Sequence, residues 1–144
     1  MNRLAEILEE KGSDVLEIDA DASVLEAVQL MVEKNVGSLL VTEGGEITGI
    51  VTERDYLRRV TLEGRTDAET RIGEIMSSPL VVVTPETSVD ESMAVMTDRR
   101  IRHLPVVEDG RVVGLVSIGD LVKYKSKQQT FEIQYLTNYI TAAG

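Results

Sequence analysis

The stretch Gly49-Ile50-Val51-Thr52-Glu53-Arg54-Asp55 returns 65 residues later as Gly114-Leu115-Val116-Ser117-Ile118-Gly119-Asp120. Around it, the similarity extends without a gap, from residues 15–59 in the first copy to residues 80–124 in the second. An internal repeat of this kind predicts two similar structural units in tandem. If a pseudo-twofold axis relates the two units, a cleft lies between them in which a small ligand could bind.

The composition is typical of a compact globular protein. The chain has 144 residues, of which 42% are hydrophobic and 28% are charged, enough to build a real core. Each copy has roughly 60 to 70 residues, near the lower limit for folding alone, so we expect the two copies to share a core. No apolar run approaches the roughly 18 residues of a membrane span, and residues 1–6 do not resemble a targeting peptide. A cytoplasmic location is therefore expected.

The charge and the residue types exclude several classes of function. The net charge is −10, from 25 acidic and 15 basic residues, which argues against binding to nucleic acids or anionic membranes. The chain has no cysteine, and His103 is its only histidine, so thiolate nucleophiles and two-histidine metal sites within one chain are excluded. We also find no phosphate-binding Gly-x-x-x-x-Gly-Lys loop and no nucleophile–base pair. An enzyme is therefore not expected.

Apolar periodicity predicts the same order of elements in both copies. Each copy is expected to form an extended segment, a helix, a two-stranded hairpin and a second helix. The predicted ranges are 15–18, 23–35, 38–42, 47–51 and 53–61 in the first copy, and 81–84, 88–100, 103–107, 112–116 and 118–127 in the second. Gly44-Gly45 and Asp109-Gly110 supply the hairpin turns. The strands are apolar on consecutive residues, which predicts sheets covered on both faces.

The repeat divides the chain into three predicted parts. Residues 1–64 form the first repeat with a short N-terminal helix over residues 3–11, residues 65–127 form the second repeat, and residues 128–144 form a helical tail. Residues 71–76 resemble the start of the N-terminal helix. The tail carries apolar residues at helical spacing, so it is expected to cover this core or a second chain.

The two motifs resemble those of CBS domains, which occur in tandem pairs often called Bateman modules. The resemblance covers residues 15–125 and includes a third motif, Arg100-Ile101-Arg102-His103-Leu104-Pro105-Val106. It implies an α+β fold of two tandem β-α-β-β-α repeats related by a pseudo-twofold axis, with short helices at both termini. It also implies a homodimer and two clefts for adenosine compounds such as AMP, ADP, ATP, NAD or S-adenosylmethionine. The family's usual role is regulatory sensing, with the nucleotide as ligand and no catalytic cofactor.

Two interpretations apply to the Thr/Ser-x-x-Asp part of each motif. Thr52 with Asp55, and Ser117 with Asp120, have the spacing of a capping box, in which side chains satisfy the free amides of a helix start. Alternatively, the carboxylate accepts hydrogen bonds from ribose hydroxyls while the start of the helix faces phosphate. By resemblance, the aspartates hold ribose and Thr52 and Ser117 approach phosphate.

The resemblance also assigns residues from the opposite copy to each cleft. One predicted site combines Thr52 and Asp55 with Arg102 and His103. The other combines Ser117 and Asp120 with Gly37 and Ser38, the counterparts of Arg102 and His103. Since only the first set has cationic groups for a polyanion, we expect the Asp55 site to bind the more highly charged nucleotide or to bind more tightly.

Some of these positions have other interpretations. Arg54 and Arg100 are further candidates for phosphate binding. Alternatively, Arg54 could be an exposed charge on a helix, and Arg100 could interact with the partial negative charge at the C-terminal end of a helix. His103 could equally be a strand residue with a satisfied ring. Gly119 replaces Arg54 in the second motif, which removes a side chain next to the phosphate end of the Asp120 site.

Two functions from different classes therefore follow from the sequence. The first is a regulatory module that binds an adenosine nucleotide and signals to an unknown effector protein through a change in conformation or oligomeric state. The alternative is an interaction scaffold that dimerises with empty clefts.

Overall fold

The computed structural model describes residues 2–12 and 14–128. The helices are α1 (Leu4–Lys11), α2 (Val24–Lys34), α3 (Glu53–Tyr56), α4 (Ile72–Ile75), α5 (Val89–Arg99) and α6 (Ile118–Gln128). The strands are β1 (Glu17–Asp19), β2 (Ser38–Glu43), β3 (Glu46–Thr52), β4 (His103–Glu108) and β5 (Arg111–Ser117). The predicted helical tail, apart from Gln128, lies outside the described residues. The α+β class is confirmed, and so is the repeated order of elements except for the first strand of the second copy.

The two hairpins have the same register. In the first sheet β1 pairs parallel to β2, and β2 pairs antiparallel to β3. In the second sheet β4 and β5 form an antiparallel pair. Val41 lies opposite Gly49, and Val106 lies opposite Gly114, and in each hairpin the register shifts at the next residue. The motif residues after each second strand are therefore placed equivalently.

The second sheet lacks the extra strand that was predicted over residues 81–84. In the first sheet the amide of Leu40 donates to Leu16 O at 3.0 Å. The residue equivalent to Leu40 is Pro105, which has no N–H and cannot make this bond. Pro85 likewise replaces Ala20, whose amide donates to Thr42 O at 2.9 Å. What remains is a single parallel bridge between Val83 and Val106.

Each repeat is completed by a short helix that precedes the other repeat. The fully buried Leu4 of α1 packs in the core of the second repeat, with Leu104 and Val116. Conversely, Ile72 of α4 packs in the core of the first repeat, with Leu39. The division of the chain at residues 64 and 65 stays a prediction, but the N-terminal helix lies in space with the second repeat. This exchange joins the two repeats, which have two separate cores and not the single shared core that was expected.

The helix predicted over residues 53–61 begins as an α-helix and continues as a π-helical turn over Leu57–Thr61. Within this turn Val60 is buried in the first core. Single π-helical turns occur often at functional sites. Within the described part of the chain, no helix is both long enough and apolar enough to cross a membrane.

Candidate functional site

A cavity of about 860 Å³ lies between the two repeats. Its size is within the range of small-molecule sites. Its lining comes from the first motif, the segment after α4, and the loop between α5 and β4. The lining residues are Gly37, Ile50, Thr52, Glu53, Arg54, Asp55, Leu57, Arg58, Arg59, Ser77, Pro79, Leu80, Val81, Arg99, Arg100, Ile101, Arg102, His103 and Pro105.

The first predicted set of site residues meets in this cavity. Thr52 and Asp55, from the end of β3 and the start of α3, share the cavity with Arg102 and His103 of the second repeat. The cavity also contains the further candidates Arg54 and Arg100. The structure brings these six residues together, although their role toward a ligand stays a prediction.

Asp55 takes part in a capping box and also faces the cavity. The amide of Thr52 donates to Asp55 Oδ2 at 2.9 Å, and the amide of Asp55 donates to Thr52 Oγ1 at 3.3 Å. The hydroxyl of Ser77 donates to the other carboxylate oxygen, Oδ1, at 3.1 Å. Only 8% of Asp55 is exposed. Both interpretations of the motif are therefore compatible with the geometry, since the carboxylate is fixed by protein groups and lies at the cavity wall.

The cavity concentrates positive charge in an acidic chain. It is lined by six arginines against only two carboxylates, those of Glu53 and Asp55. Among the described residues, none of the arginines at positions 58, 100 and 102 forms an ion pair with a carboxylate. Unpaired guanidinium groups around one cavity create a binding site for an anion.

Two of the arginines also bridge parts of the structure. Arg54 Nη1 donates to the carbonyl oxygen of Arg100 at 3.0 Å. Arg100 is the left-handed residue that ends α5, so this contact ties α3 to the opposite repeat. Arg59 Nη1 donates to the carbonyl oxygens of Ile75 and Met76, both at 3.3 Å. These contacts hold the cavity walls in place.

His103 is partly buried at the cavity and has an altered pKa. Burial lowers the pKa of its imidazole, and the nearby positive charge of Lys11 lowers it further, against smaller opposing effects from Glu53 and Asp120. The ring is therefore neutral at pH 7. A Cβ added at Gly37 would lie 3.7 Å from His103 Nε2 and 2.5 Å from Glu53 Oε1. Glycine at position 37 thus leaves room for these two side chains.

The second predicted set is arranged differently. The amide of Ser117 donates to Asp120 Oδ2 at 2.8 Å, and the amide of Asp120 donates to Ser117 Oγ at 3.1 Å, as in the first motif. Lys11 Nζ, however, also donates to Asp120 Oδ2, at 2.6 Å. Ser38 is buried and pairs in register with Thr52. Ser38, Ser117 and Asp120 do not line the large cavity, and Gly37 lies on that cavity instead.

Sequence reasoning missed several residues of the site. Arg58 and Arg59 line the cavity, and their counterparts in the second copy are Lys123 and Tyr124. The change from Arg59 to Tyr124 is a signal that could have indicated Arg59, whereas Arg58 and Lys123 are both cationic and give no such signal. Ser77 lies outside the repeat, and only the structure shows its contact with Asp55.

A second cavity of about 480 Å³ lies beside the first, between α2 and the start of α3. It is lined mainly by apolar residues, including Val28, Met31, Val32 and Leu57. Two of these side chains are strongly exposed, Val32 at 76% and Leu57 at 57%. The face of α2 and α3 is thus an apolar surface next to the candidate site.

The described residues contain no cluster of three or more histidine or carboxylate side chains that could hold a metal ion. The arrangement at the large cavity consists of hydrogen-bond acceptors at one wall and guanidinium groups at another. These groups can bind a polar, anionic small molecule.

Comparisons with known proteins agree with this architecture. The family model of the CBS domain matches residues 5–62 and residues 72–127. The CBS domain-containing protein CBSX3, mitochondrial, of Arabidopsis thaliana is 41% identical over 146 aligned positions, which cover 95% of this chain and 71% of that protein.

Solved structures give the same result. A protein described as signal-transducing, with CBS domains, from Burkholderia ambifaria is 46% identical and superposes with a TM-score of 0.87, covering 91% of this chain and 98% of that one. A hexameric CBS-CP12 protein from bloom-forming cyanobacteria is 33% identical, with a TM-score of 0.78 and coverage of 98% and 82%.

Proposed function

The chain belongs to the CBS-domain family, whose paired domains form regulatory modules, and on this premise we propose that it binds an adenosine nucleotide between its repeats. The ligand occupies the cavity of about 860 Å³. Binding shifts the arrangement of the two repeats or the oligomeric state, and an effector protein reads the change. The module itself is not a catalyst.

The observation that carries this proposal is the pairing of a fixed carboxylate with an arginine-lined cavity. Asp55 is held by the Thr52 amide and hydroxyl on Oδ2 and by the Ser77 hydroxyl on Oδ1, and the remaining lone pair of Oδ1 can accept a hydrogen bond from a ribose hydroxyl. Arg102 and His103 stand on the wall supplied by the other repeat, where they can contact phosphate. Thr52 lies on the same wall as Asp55 and helps to orient its carboxylate, since the Thr52 hydroxyl donates to Asp55 Oδ2 at 3.2 Å.

The charge of the cavity favours ligands with more than one phosphate. Arg58, Arg100 and Arg102 have no carboxylate partner among the described residues, and guanidinium groups bind phosphate oxygens in pairs of hydrogen bonds. We therefore rank ADP, ATP and NAD above AMP, and AMP above the cationic S-adenosylmethionine.

In this proposal, the signal arises because the ligand has different affinities for different arrangements of the two repeats. A ligand that contacts both repeats binds best to the arrangement in which Asp55 and Arg102 face one another, and so raises the population of that arrangement. Since Arg54 of one repeat already contacts the Arg100 carbonyl of the other, the ligand acts on an existing junction.

The experiment is isothermal titration of the protein with AMP, ADP, ATP, NAD, NADH and S-adenosylmethionine. The proposal predicts saturable binding that is lost in Asp55→Asn. The matched control is Asp109→Asn, which changes a carboxylate at the tip of the β4–β5 turn. Circular dichroism shows whether each variant is folded. Equal binding by the wild type and Asp55→Asn would contradict the proposed site.

A second candidate function is an interaction scaffold, and one observation favours it. The apolar side chains of Val32 and Leu57 are exposed beside the 480 Å³ cavity, and such a face is typical of an association surface. We propose that this face joins two copies into a homodimer, whether or not ligand is bound. If a folded protein gave no binding signal with any of the six compounds, the scaffold would become the better assignment.

A further inference from the structure

Lys11, the last residue of α1, contacts the motif that would serve a second ligand. Its ammonium group donates to Asp120 Oδ2 at 2.6 Å and to the carbonyl oxygen of Leu115 at 2.7 Å. The side chain of Asp120 is 23% exposed. Partial burial raises the pKa of this carboxyl, but the hydrogen bonds from Lys11 and Ser117 outweigh burial and lower it overall. Asp120 is thus an ionised carboxylate that already has a cationic partner within the chain.

A comparison of the two repeats explains why a lysine contacts the aspartate of the second motif and not that of the first. A Cβ added at Gly114 would lie 2.5 Å from Leu8 Cδ2, and a Cβ added at Gly49 would lie 2.6 Å from Met76 Sδ. Leu8 of α1 and Met76 after α4 therefore occupy equivalent places, each over the glycine of one hairpin.

The chain continues differently after Leu8 of α1 and after Met76, which follows α4. α4 ends at Ile75, just before Met76, and the following segment lines the large cavity through Ser77, whose hydroxyl contacts Asp55. α1 continues through Leu8 to Lys11. This additional turn carries a lysine to the second aspartate, whereas the first aspartate receives a serine hydroxyl.

Further contacts fix α1 in this position. The hydroxyl of Tyr124 donates to Glu6 Oε2 at 2.5 Å, and Lys127 forms an ion pair with Glu10. Both partners belong to α6, the helix that begins with the second motif. Lys11 is therefore held over Asp120 by neighbouring contacts of the same two helices.

We infer that Lys11 closes the second cleft, so that the chain binds one nucleotide, at Asp55. The Lys11 ammonium, held by Asp120 Oδ2 and by the Leu115 carbonyl, fills the place where the hydroxyls of a nucleoside would lie, whereas the partners of Asp55 are a backbone amide and two small hydroxyl groups. A neutral ribose cannot displace the ammonium without breaking two hydrogen bonds of Lys11. The inference rests on the proposed function and specifies how many nucleotides the module takes. Lys11 is thus the residue that determines the specificity of one cleft over the other.

The test is the stoichiometry of ADP binding to the full chain by isothermal titration. The wild type is expected to bind one ADP per chain, and Asp120→Asn is expected to leave this number unchanged. Lys11→Met, which keeps the aliphatic part of the side chain, is expected to bind two. The double variant Lys11→Met/Asp120→Asn should return to one. Lys127→Met removes another α1–α6 ion pair without touching Asp120, and should bind one.

Each outcome decides the inference. It is overturned if Lys11→Met still binds one ADP, if it binds one ADP more weakly than the wild type, or if the wild type binds two. If the wild type binds none and Lys11→Met binds one, the Asp55 site of the proposed function fails while the role of Lys11 stands. If neither protein binds ADP, although both are folded by circular dichroism, both proposals fail.

Discussion

The hydroxyl of Ser77 donates a hydrogen bond to Oδ1 of Asp55 at 3.1 Å, and so joins the segment after α4 to the start of α3. Because the amide of Thr52 donates to the other oxygen at 2.9 Å, both oxygens of the carboxylate have partners. A carboxylate oriented in this way needs little rearrangement to receive a ligand. Its fixed position depends on a residue that lies outside the repeated sequence.

Removing the Ser77 hydroxyl should reduce stability modestly. We expect Ser77→Ala to lower the free energy of unfolding by about 1 kcal/mol, because Asp55 is buried and loses one hydrogen bond. Urea unfolding measures the change. Ser126→Ala is the control, since the Ser126 hydroxyl has no hydrogen bond within the described residues. A loss in the control as large as that in Ser77→Ala would show that the contact with Asp55 contributes nothing.

The glycines of the two motifs should tolerate alanine to different degrees. At Gly49 the new Cβ would lie 2.9 Å from the backbone oxygen of Ser77, as well as 2.6 Å from Met76 Sδ. At Gly114 the nearest atoms belong to the side chain of Leu8, which can move. We expect Gly49→Ala to lower the free energy of unfolding by about 1–3 kcal/mol, the usual cost of overpacking, and Gly114→Ala to lower it less.

Two further variants make this prediction decisive. Gly114→Ala should cost less stability in a Leu8→Ala background than in the wild type, as a double-mutant cycle would show. Gly119→Ala should cost nothing, because its Cβ would meet only Ser117 Oγ, at 3.5 Å. The steric argument is wrong if Gly119→Ala is as destabilising as Gly49→Ala.

Much of the fold follows from local sequence. The apolar positions of β2 and β3, the paired glycines between them, and the serine caps at Ser23 and Ser88 each specify an element through its own neighbours. The structure shows these caps, with amides of the first helical turn donating to the serine hydroxyls. Elements of this kind are predictable because the contacts that determine them lie within a few residues.

Features that depend on distant contacts were not predicted. Lys11 meets Asp120 across 109 positions of the chain, and nothing in the sequence near either residue indicates the pairing. The packing of α1 on the second repeat likewise joins distant parts of the chain, since Leu4 is buried with Leu104 and Val116. In contrast, the absence of a strand over residues 81–84 could have been predicted from the sequence. Pro105 and Pro85 lack the amides that the strand pairing needs.

Part of the candidate site was predictable because the motifs that contain its residues are local in sequence. The repeat itself places Thr52 and Asp55 at equivalent points to Ser117 and Asp120, and the family resemblance supplied Arg102 and His103 from the opposite copy. Whether each set of predicted site residues encloses a cavity depends on the segment that follows α1 or α4. These two segments differ in sequence.

The asymmetry between the copies should be measurable as binding. We expect Arg102→Ala to weaken ADP binding about 10- to 100-fold, the effect of losing a hydrogen bond to a charged group, and to reduce the dependence of binding on salt. Ser38→Ala should change it little, since Ser38 is buried and does not line the large cavity. Titrations at two salt concentrations test both statements, and equal losses in the two variants would contradict them.

The pKa of His103 predicts how stability depends on pH. Burial, and secondarily the charge of Lys11, hold the pKa of His103 below its ordinary value of 6.5 in the folded chain. Well above pH 6.5 the imidazole is neutral in both the folded and the unfolded chain, so it adds no pH dependence there. Below pH 6.5 the unfolded chain takes up a proton that the folded chain does not, which favours unfolding. Stability should therefore fall as the pH is lowered from 7.5 to 5.5.

His103→Gln should show a weaker decline over the same range. Because His103 is the only histidine, the difference between the two curves isolates its contribution, and most carboxylates stay ionised in this range. Urea unfolding at several pH values measures both curves. Parallel curves would mean that His103 titrates alike in both states, and a decline that is steeper in His103→Gln than in the wild type would reverse the sign of the argument.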